Sequence, residues 1–336
     1  MVVSLVEAKR NAQEDLDVQV IDEFRKTSVI NDSLIFDDAV NPAGGGATLT
    51  YGYRRLFTQA TANTRAYNTE YVDQEVETRP YSTTLTPLGG SFAIDRVLAR
   101  VGPAASGAIA LQMSQKIKST NAKFADLVIN GDTATTATDF DGLDKALTGS
   151  DTEFRPNVVT NLTDWDTGTR AEHKFLDDLD EFLSLLDGVP TILVGNSAVL
   201  ARVRGAARRA GMYTLNPVDG LLTAGEGSRP IEREMYGGVL FGDAGAKAGS
   251  NDMIIPIENR TVATVAQTGL TDLYAYRVGI DGFHGVSTAG GQLISQWLPD
   301  FTRAGAVKRG EVEMGPVSVA LKATKAAAVW RNLKVR

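Results

Sequence analysis

The stretch from Thr48 to Leu88 most constrains what this chain can become. It is rich in Thr, Tyr, Val and Arg and lacks the apolar density of a core. Thr48-Leu-Thr-Tyr-Gly-Tyr-Arg-Arg-Leu-Phe57 and Glu75-Val-Glu-Thr-Arg-Pro-Tyr-Ser-Thr-Thr-Leu85 predict two strands by β-propensity and partial alternation. Between them lies a polar tip, Thr58–Gln74, with Arg65, Tyr67 and Tyr71. Two strands do not hold themselves up in water. A long hairpin with polar faces and exposed tyrosines must find support on another chain, and Tyr and Arg are enriched at such interfaces.

The rest of the chain reads as α+β. Residues 5–25 predict a helix, with Leu5, Leu16, Val20 and Phe24 near helical spacing, and the turn-rich Asn41-Pro-Ala-Gly-Gly-Gly46 ends this arm. Gly89-Gly90 is expected to break the hairpin from the next unit, which starts at Ser91-Phe-Ala-Ile-Asp-Arg96. Pro103 opens a long helix to Ile129, with Ile109, Met113, Ile117, Phe124 and Val128 near one face and Asn130-Gly131 as its stop. Such a helix spans about 40 Å, long enough to be the backbone of a domain. Phe175, Leu179, Phe182, Leu183 and Leu186 mark a second amphipathic helix, ended by Gly188 and Pro190. Thr191-Ile-Leu-Val194 predicts a buried strand, and Ser197 the N-cap of a helix to Ala210. Further strands are expected at Gly238–Phe241, Met253–Ile257, Asp272–Gly279, Gln292–Leu298, Glu311–Met314 and Val317–Lys322. Helices and strands are mixed, not alternating, which argues against a doubly wound sheet.

Composition removes most chemistry. The 336 residues include no cysteine, so disulfides, thiolate metal sites and cysteine nucleophiles are excluded. His173 and His284 are the only histidines, which argues against a multi-histidine metal centre. His173 sits among charges near a helix start, and His284 is flanked by glycine in an expected turn; both read as structural or surface residues. Gly44-Gly45-Gly46 precedes a strand and Gly242-Asp243-Ala244-Gly245 completes no dinucleotide fingerprint, so both read as turns. Asp139, Asp141 and Asp144 lie close in sequence but lack the spacing of a calcium loop; a weak divalent site is the sharper alternative. Asp177, Asp178, Asp180 and Glu181 are expected on the solvated side of the second helix. Arg202, Arg204, Arg208 and Arg209 form a dense basic patch, either a solvated helix face or a contact with anionic partners. The net charge of −7 disfavours general adhesion to nucleic acid. No catalytic constellation, cofactor site or metal site emerges, and the chain reads as non-enzymatic. No apolar run is long enough to span a bilayer, and the N-terminus lacks signal-peptide features.

Charge is uneven. Residues 1–40 hold nine acids against four bases, and residues 301–336 hold eight bases against two acids. The ends are either separately solvated or meet, within a subunit or between neighbours, and set register.

The chain resembles the major capsid proteins of tailed bacteriophages, with the Hong Kong 97-type fold. The resemblance lies in Tyr53-Arg-Arg-Leu-Phe-Thr-Gln-Ala-Thr61, Gly90-Ser-Phe-Ala-Ile-Asp-Arg-Val-Leu98, Leu111-Gln-Met-Ser-Gln-Lys-Ile-Lys118, Phe140-Asp-Gly-Leu-Asp-Lys-Ala-Leu147 and Lys308-Arg-Gly-Glu-Val-Glu-Met-Gly315, in this order, over nearly the whole chain. It implies an N-terminal arm (1–46), an extended loop over an adjacent subunit (47–90), a peripheral domain (91–170 and 295–336) with spine helix 103–129, and an axial domain (171–294) at the hexamer and pentamer axes. It implies a coat protein that self-assembles into hexamers and pentamers of an icosahedral shell around double-stranded DNA, without sequence-specific binding. The implied partners are further copies of the chain, portal and scaffolding proteins, and decoration proteins. The implied setting is the virion, with assembly in the host cytoplasm. Arg54, Arg55, Arg65, Tyr67, Tyr71 and Arg79 are then expected at inter-subunit contacts, and the basic helix with Arg202, Arg204, Arg208 and Arg209 near the capsomer axis.

Some members of that family link subunits through a lysine in the extended loop; residues 47–90 here contain none, so a shell without that bond is expected. Some carry a long scaffolding extension before the arm; here a separate scaffold, or none, is expected. Rival readings are an encapsulin-type compartment, a decoration protein, and a hydrolase or transferase built on Asp139–Asp144.

Overall fold

The computed structural model describes residues 28–38, 40, 48–100, 103–163, 171–210, 215–217, 232–236, 238–288 and 293–336. The helix expected over 5–25 and the Asn41–Gly46 turn lie outside the described residues.

In chain order the first elements are α1 (Val29–Ser33), β1 (Phe36–Asp37), β2 (Thr50–Leu56), β3 (Thr78–Thr84) and β4 (Thr86–Asp95). Helices α2 (Pro103–Asn130) and α3 (Leu143–Leu147) follow, then β5 (Glu153–Phe154), β6 (Thr160–Asn161) and α4 (Ala171–Ser184). Next come β7 (Ile192–Gly195), α5 (Ser197–Arg209), β8 (Leu215–Pro217), β9 (Glu232–Tyr236) and β10 (Val239–Asp243). The chain closes with β11 (Glu258–Val262), β12 (Val265–Tyr276), β13 (Phe283–Ser287), β14 (Ile294–Trp297), β15 (Val307–Leu321) and β16 (Ala327–Lys334).

Strands β2 and β3 form an antiparallel hairpin from Thr50↔Thr84 to Leu56↔Thr78. Only Leu85 separates β3 from β4, which pairs along β15 from Asp95↔Val307 to Thr86↔Val317. The hairpin therefore grows out of the body as a prolongation of one of its strands. Gly89-Gly90, expected as a break, lies inside β4. The glycine is needed for close approach: a Cβ at Gly89 would run into the Val312 carbonyl across the ladder.

β15 is the axis of a five-stranded sheet ordered β1-β13-β15-β14, with β4 also on β15. Glu311 pairs with Trp297 on one side and Ser91 on the other, so β15 is central. The sequence suggested two strands here. They are one, with a register irregularity between Met314 and Val317, where Pro316 cannot donate to the ladder. Its first half alternates exposed and buried residues, the pattern of a half-buried antiparallel strand. Phe92 and Val312 on the inner face pack with Met113 of α2, and Ile109 and Ile117 complete that contact.

The second sheet has nine strands along the path β5-β16-β12-β7-β10-β9-β8, with β11 on β12 and β6 on β16. Phe124, Leu127, Val128 and Ile129 of α2 enter a core shared with residues of both sheets, including Val194, Tyr276, Phe283 and Val319. On the other face, Trp330 of β16 lies 5.3 Å from Phe154, 5.4 Å from Phe175 and 5.7 Å from Phe182, ring centroid to centroid. Phe175, Leu176, Leu179 and Phe182 are the buried stripe of α4, and Val199, Val203 and Ala206 that of α5.

Three further local expectations are corrected. Asn196, not Ser197, caps α5: its side chain accepts from the Val199 amide at 2.9 Å, and its own amide donates to the Ile255 carbonyl and to Thr271 Oγ1. Met253–Ile257 is buried at Ile254 and Ile255 but forms no strand, because the side-chain amides of Asn130 and Asn196 satisfy their carbonyls in place of a ladder. His284 stands in β13, not in a turn, and is fully buried. β16, which sequence reading missed, is a central strand of the larger sheet.

Candidate assembly surface

The hairpin is held at its root and bare beyond it. At the root, Tyr51 and Leu85 join Val40, Val286 and Ala320 in a small buried cluster. The Tyr51 hydroxyl donates to Asp37 Oδ2 at 2.8 Å, and burial together with that carboxylate pushes the phenol's pKa up. Arg55 donates to the carbonyls of Leu321 and Lys322, the latter at 3.1 Å, and its guanidinium lies 4.3 Å from the Tyr81 ring centroid. Thr83 and Ser318 hydroxyls meet at 2.6 Å. Arg55, expected at an inter-subunit contact, is thus engaged within its own chain.

Beyond the root, residues 59–82 are exposed throughout. The turn between the strands is stiffened from within: Arg65 donates to the carbonyls of Ala66 and Thr69 at 3.3 and 3.1 Å and lies 5.3 Å from the Tyr71 ring centroid. The Glu77 amide donates to Thr58 Oγ1 at 2.6 Å, and Arg79 stacks 3.2 Å from the Phe57 ring centroid. Tyr67 is 97% exposed and Tyr71 62%, with Leu56, Phe57 and Val72 also exposed. Arg54 is exposed on β2. Leu56, Phe57, Tyr67, Tyr71 and Val72 thus form an exposed run of apolar and aromatic side chains on an arm braced by its own contacts.

The other sequence-derived candidates do not converge on it. Asp139 lies 3.9 Å from Lys123, Asp141 pairs with Lys145 at 2.8 Å, and Asp144 pairs with Arg331 and accepts from the Tyr274 hydroxyl at 2.8 Å. The three carboxylates therefore serve different cations. Among the described residues no group of three or more His, Cys, Asp or Glu is arranged to hold a metal ion. Asp178, expected in solvent, is buried and receives both arms of the Arg155 guanidinium at 2.8 and 2.7 Å. His173 is exposed on α4. On α5, Arg202 donates to the Val335 carbonyl at 3.3 Å, Arg204 is half-buried, and Arg208 and Arg209 are exposed in the last turn, where they complement the helix dipole. Among the described residues no helix is long and apolar enough to cross a membrane.

Sequence reading missed the ion network around Arg331. Its guanidinium meets Asp144, Glu153 at 2.9 Å and Asp272 at 3.1 Å, while Arg260 meets Asp272 at 2.8 Å. These charges come from α3, β5, β11, β12 and β16, so no local spacing could have disclosed them.

The α2 helix crossing between two sheets, with a long hairpin drawn out of a body strand, is the α+β architecture of the Hong Kong 97-type capsid fold. The comparisons agree. The chain is similar to the capsid of a native GTA particle (TM-score 0.59, 12% identity, covering 98% of this chain and 98% of that one). It is similar to a chain of Mycobacterium phage Ogopogo (TM-score 0.56, 11% identity, 98% and 99% covered). The holo-SrpI encapsulin complex of Synechococcus elongatus is similar as well (TM-score 0.54, 16% identity, 100% and 97% covered). No family model matches the sequence, and neither does any curated protein.

Proposed function

We propose that this chain is a coat subunit that assembles with copies of itself into hexamers and pentamers of an icosahedral shell, and that the shell is the capsid of a tailed bacteriophage enclosing double-stranded DNA. The observation that carries the reading is the hairpin: residues 59–82 are exposed in a chain that otherwise builds two well-packed sheets. An arm of that length with tyrosines at its end gains support only when a neighbour covers it. In this reading residues 47–90 are the extended loop, 1–46 the arm, 91–170 with 295–336 the peripheral domain, and 171–294 the axial domain. Arg54, Arg65, Tyr67, Tyr71 and Arg79 contact the adjacent subunit, and Arg208 and Arg209 face the capsomer axis. Many weak contacts interlocked in this way make a durable container. Portal, scaffolding and decoration proteins complete the particle. The net charge of −7 suits a wall along which DNA slides.

An encapsulin-type compartment is the second reading, favoured by the full-length likeness in fold to the Synechococcus encapsulin complex. Negative-stain electron microscopy with light scattering on the purified chain tests the common part: rings of five or six subunits, or closed shells, are expected. A monomer that stays single with the neighbouring gene products added overturns it. The contents of shells from the native source, packaged DNA or protein cargo, separate the two readings.

A further inference from the structure

His284 is fully buried on β13, opposite Ala320 of β15, in the cluster that roots the hairpin. Its ring meets Tyr51 of β2 edge-on, with centroids 5.8 Å apart at 81°. Its Nε2 lies 4.0 Å from Asp37 Oδ2, beyond hydrogen-bond reach, and neither ring nitrogen has a hydrogen-bond partner of ordinary geometry among the described residues. Asp37 instead accepts from the Tyr51 hydroxyl at 2.8 Å. The buried imidazole thus stands with a carboxylate near it but engaged elsewhere.

We propose that this junction is a proton-responsive latch: protonation of His284 draws Asp37 away from Tyr51 and loosens the attachment of the β2–β3 hairpin to the body.

The groups facing the ring are few. β1 supplies Asp37, β2 supplies Tyr51, and the end of β15 supplies Lys322, whose Nζ is 5.4 Å from the Tyr51 ring centroid. The turn before β13 brings the backbone of Gly279 and Gly282, while its Arg277–Asp281 pair, 2.9 Å apart, has Asp281 turned to solvent; Val40 and Leu85 bring no charge. Burial and then the Lys322 charge push the His284 pKa down, against Asp37 and the backbone at Gly279 and Gly282. The docked root therefore binds fewer protons than a released one. Docking is intact above the ordinary histidine value of 6.5 and weakens as pH falls below it, until the lowered docked-state value is passed. The release equilibrium then rises by at most about tenfold per pH unit. The latch stands independently of the assembly reading, since it concerns one chain.

The test is amide hydrogen exchange on the full chain between pH 7.5 and 5, corrected for intrinsic exchange chemistry. Protection in β2 and β3 is expected to fall by up to about tenfold per unit below 6.5, while β12 and β16 hold. H284M should flatten the hairpin's response. An equal response in H284M, or none in the parent, overturns the latch. If H284M does not fold, NMR titration of the two histidine rings in the parent decides: the His284 midpoint must lie below 6.5 within the interval where hairpin protection falls, and a midpoint outside it overturns the proposal.

Discussion

Arg331 on the C-terminal strand is ion-paired with Asp144 on α3, although 187 positions separate them in the chain. The same guanidinium also meets Glu153 and Asp272. Burial works against the Arg331 charge, but the Asp272 and Asp144 carboxylates outweigh it and hold its pKa above the ordinary guanidinium value. Replacing Arg331 with Met leaves three carboxylates around a lost cation. Removing one partner of such a network costs about 3–5 kcal/mol, and the urea midpoint should fall accordingly. A change below about 0.5 kcal/mol would show that the network contributes no net stability.

Tyr67 and Tyr71 stand in solvent, so their packing contributes little to the fold of one chain. The double substitution Tyr67→Ala and Tyr71→Ala should leave thermal unfolding of the free chain within about 0.5 kcal/mol, as for surface positions generally. Sedimentation should show assembly reduced far more. Equal loss of folded chain and of assembly would rule out their role as contact residues.

Lys145 holds two carboxylates, Asp132 at 2.7 Å and Asp141 at 2.8 Å. Its hydrogen bond, with those of Ala134 and Thr135, pulls the Asp132 pKa from 3.8 down to about 2. A depressed carboxylate stabilises the fold above its unfolded value, and the contribution is lost as pH falls from about 4 toward 2. In Lys145→Met the Asp132 midpoint, followed by carboxyl NMR, should move back toward 3.8.

The β11–β12 turn places Ala263 at φ 45° and Thr264 at φ 71°, a left-handed pair in which a β-branched residue is strained. Ala263→Asn with Thr264→Gly matches the turn's demand and should stabilise the chain by about 1 kcal/mol. Calorimetry that finds destabilisation would mean that the side chains there make compensating contacts.

Residues 47–90 contain no lysine. Assembled particles boiled in denaturant should therefore run as a single band at 35.9 kDa. A ladder of higher multiples would reveal a covalent bond formed elsewhere on the chain.

Much of the architecture was legible from local order. The long helix, the strand at Glu311–Met314 and the hairpin strands follow from periodicity and propensity, which act between residues a few positions apart. The same reasoning marked 48–88 as an arm without a core of its own. Contacts between distant segments decided the rest. Gly89-Gly90 became strand because β15 lies against it, and Ile254-Ile255 became irregular backbone because two asparagine amides reach its carbonyls. Asp178 left solvent for Arg155, and His284 was buried by strands 36–37 and 50–56. Local sequence determines which conformations a segment favours; partners tens to hundreds of residues away determine which charges are paired, which glycine is crowded and which histidine loses its water, and those follow only from the folded arrangement.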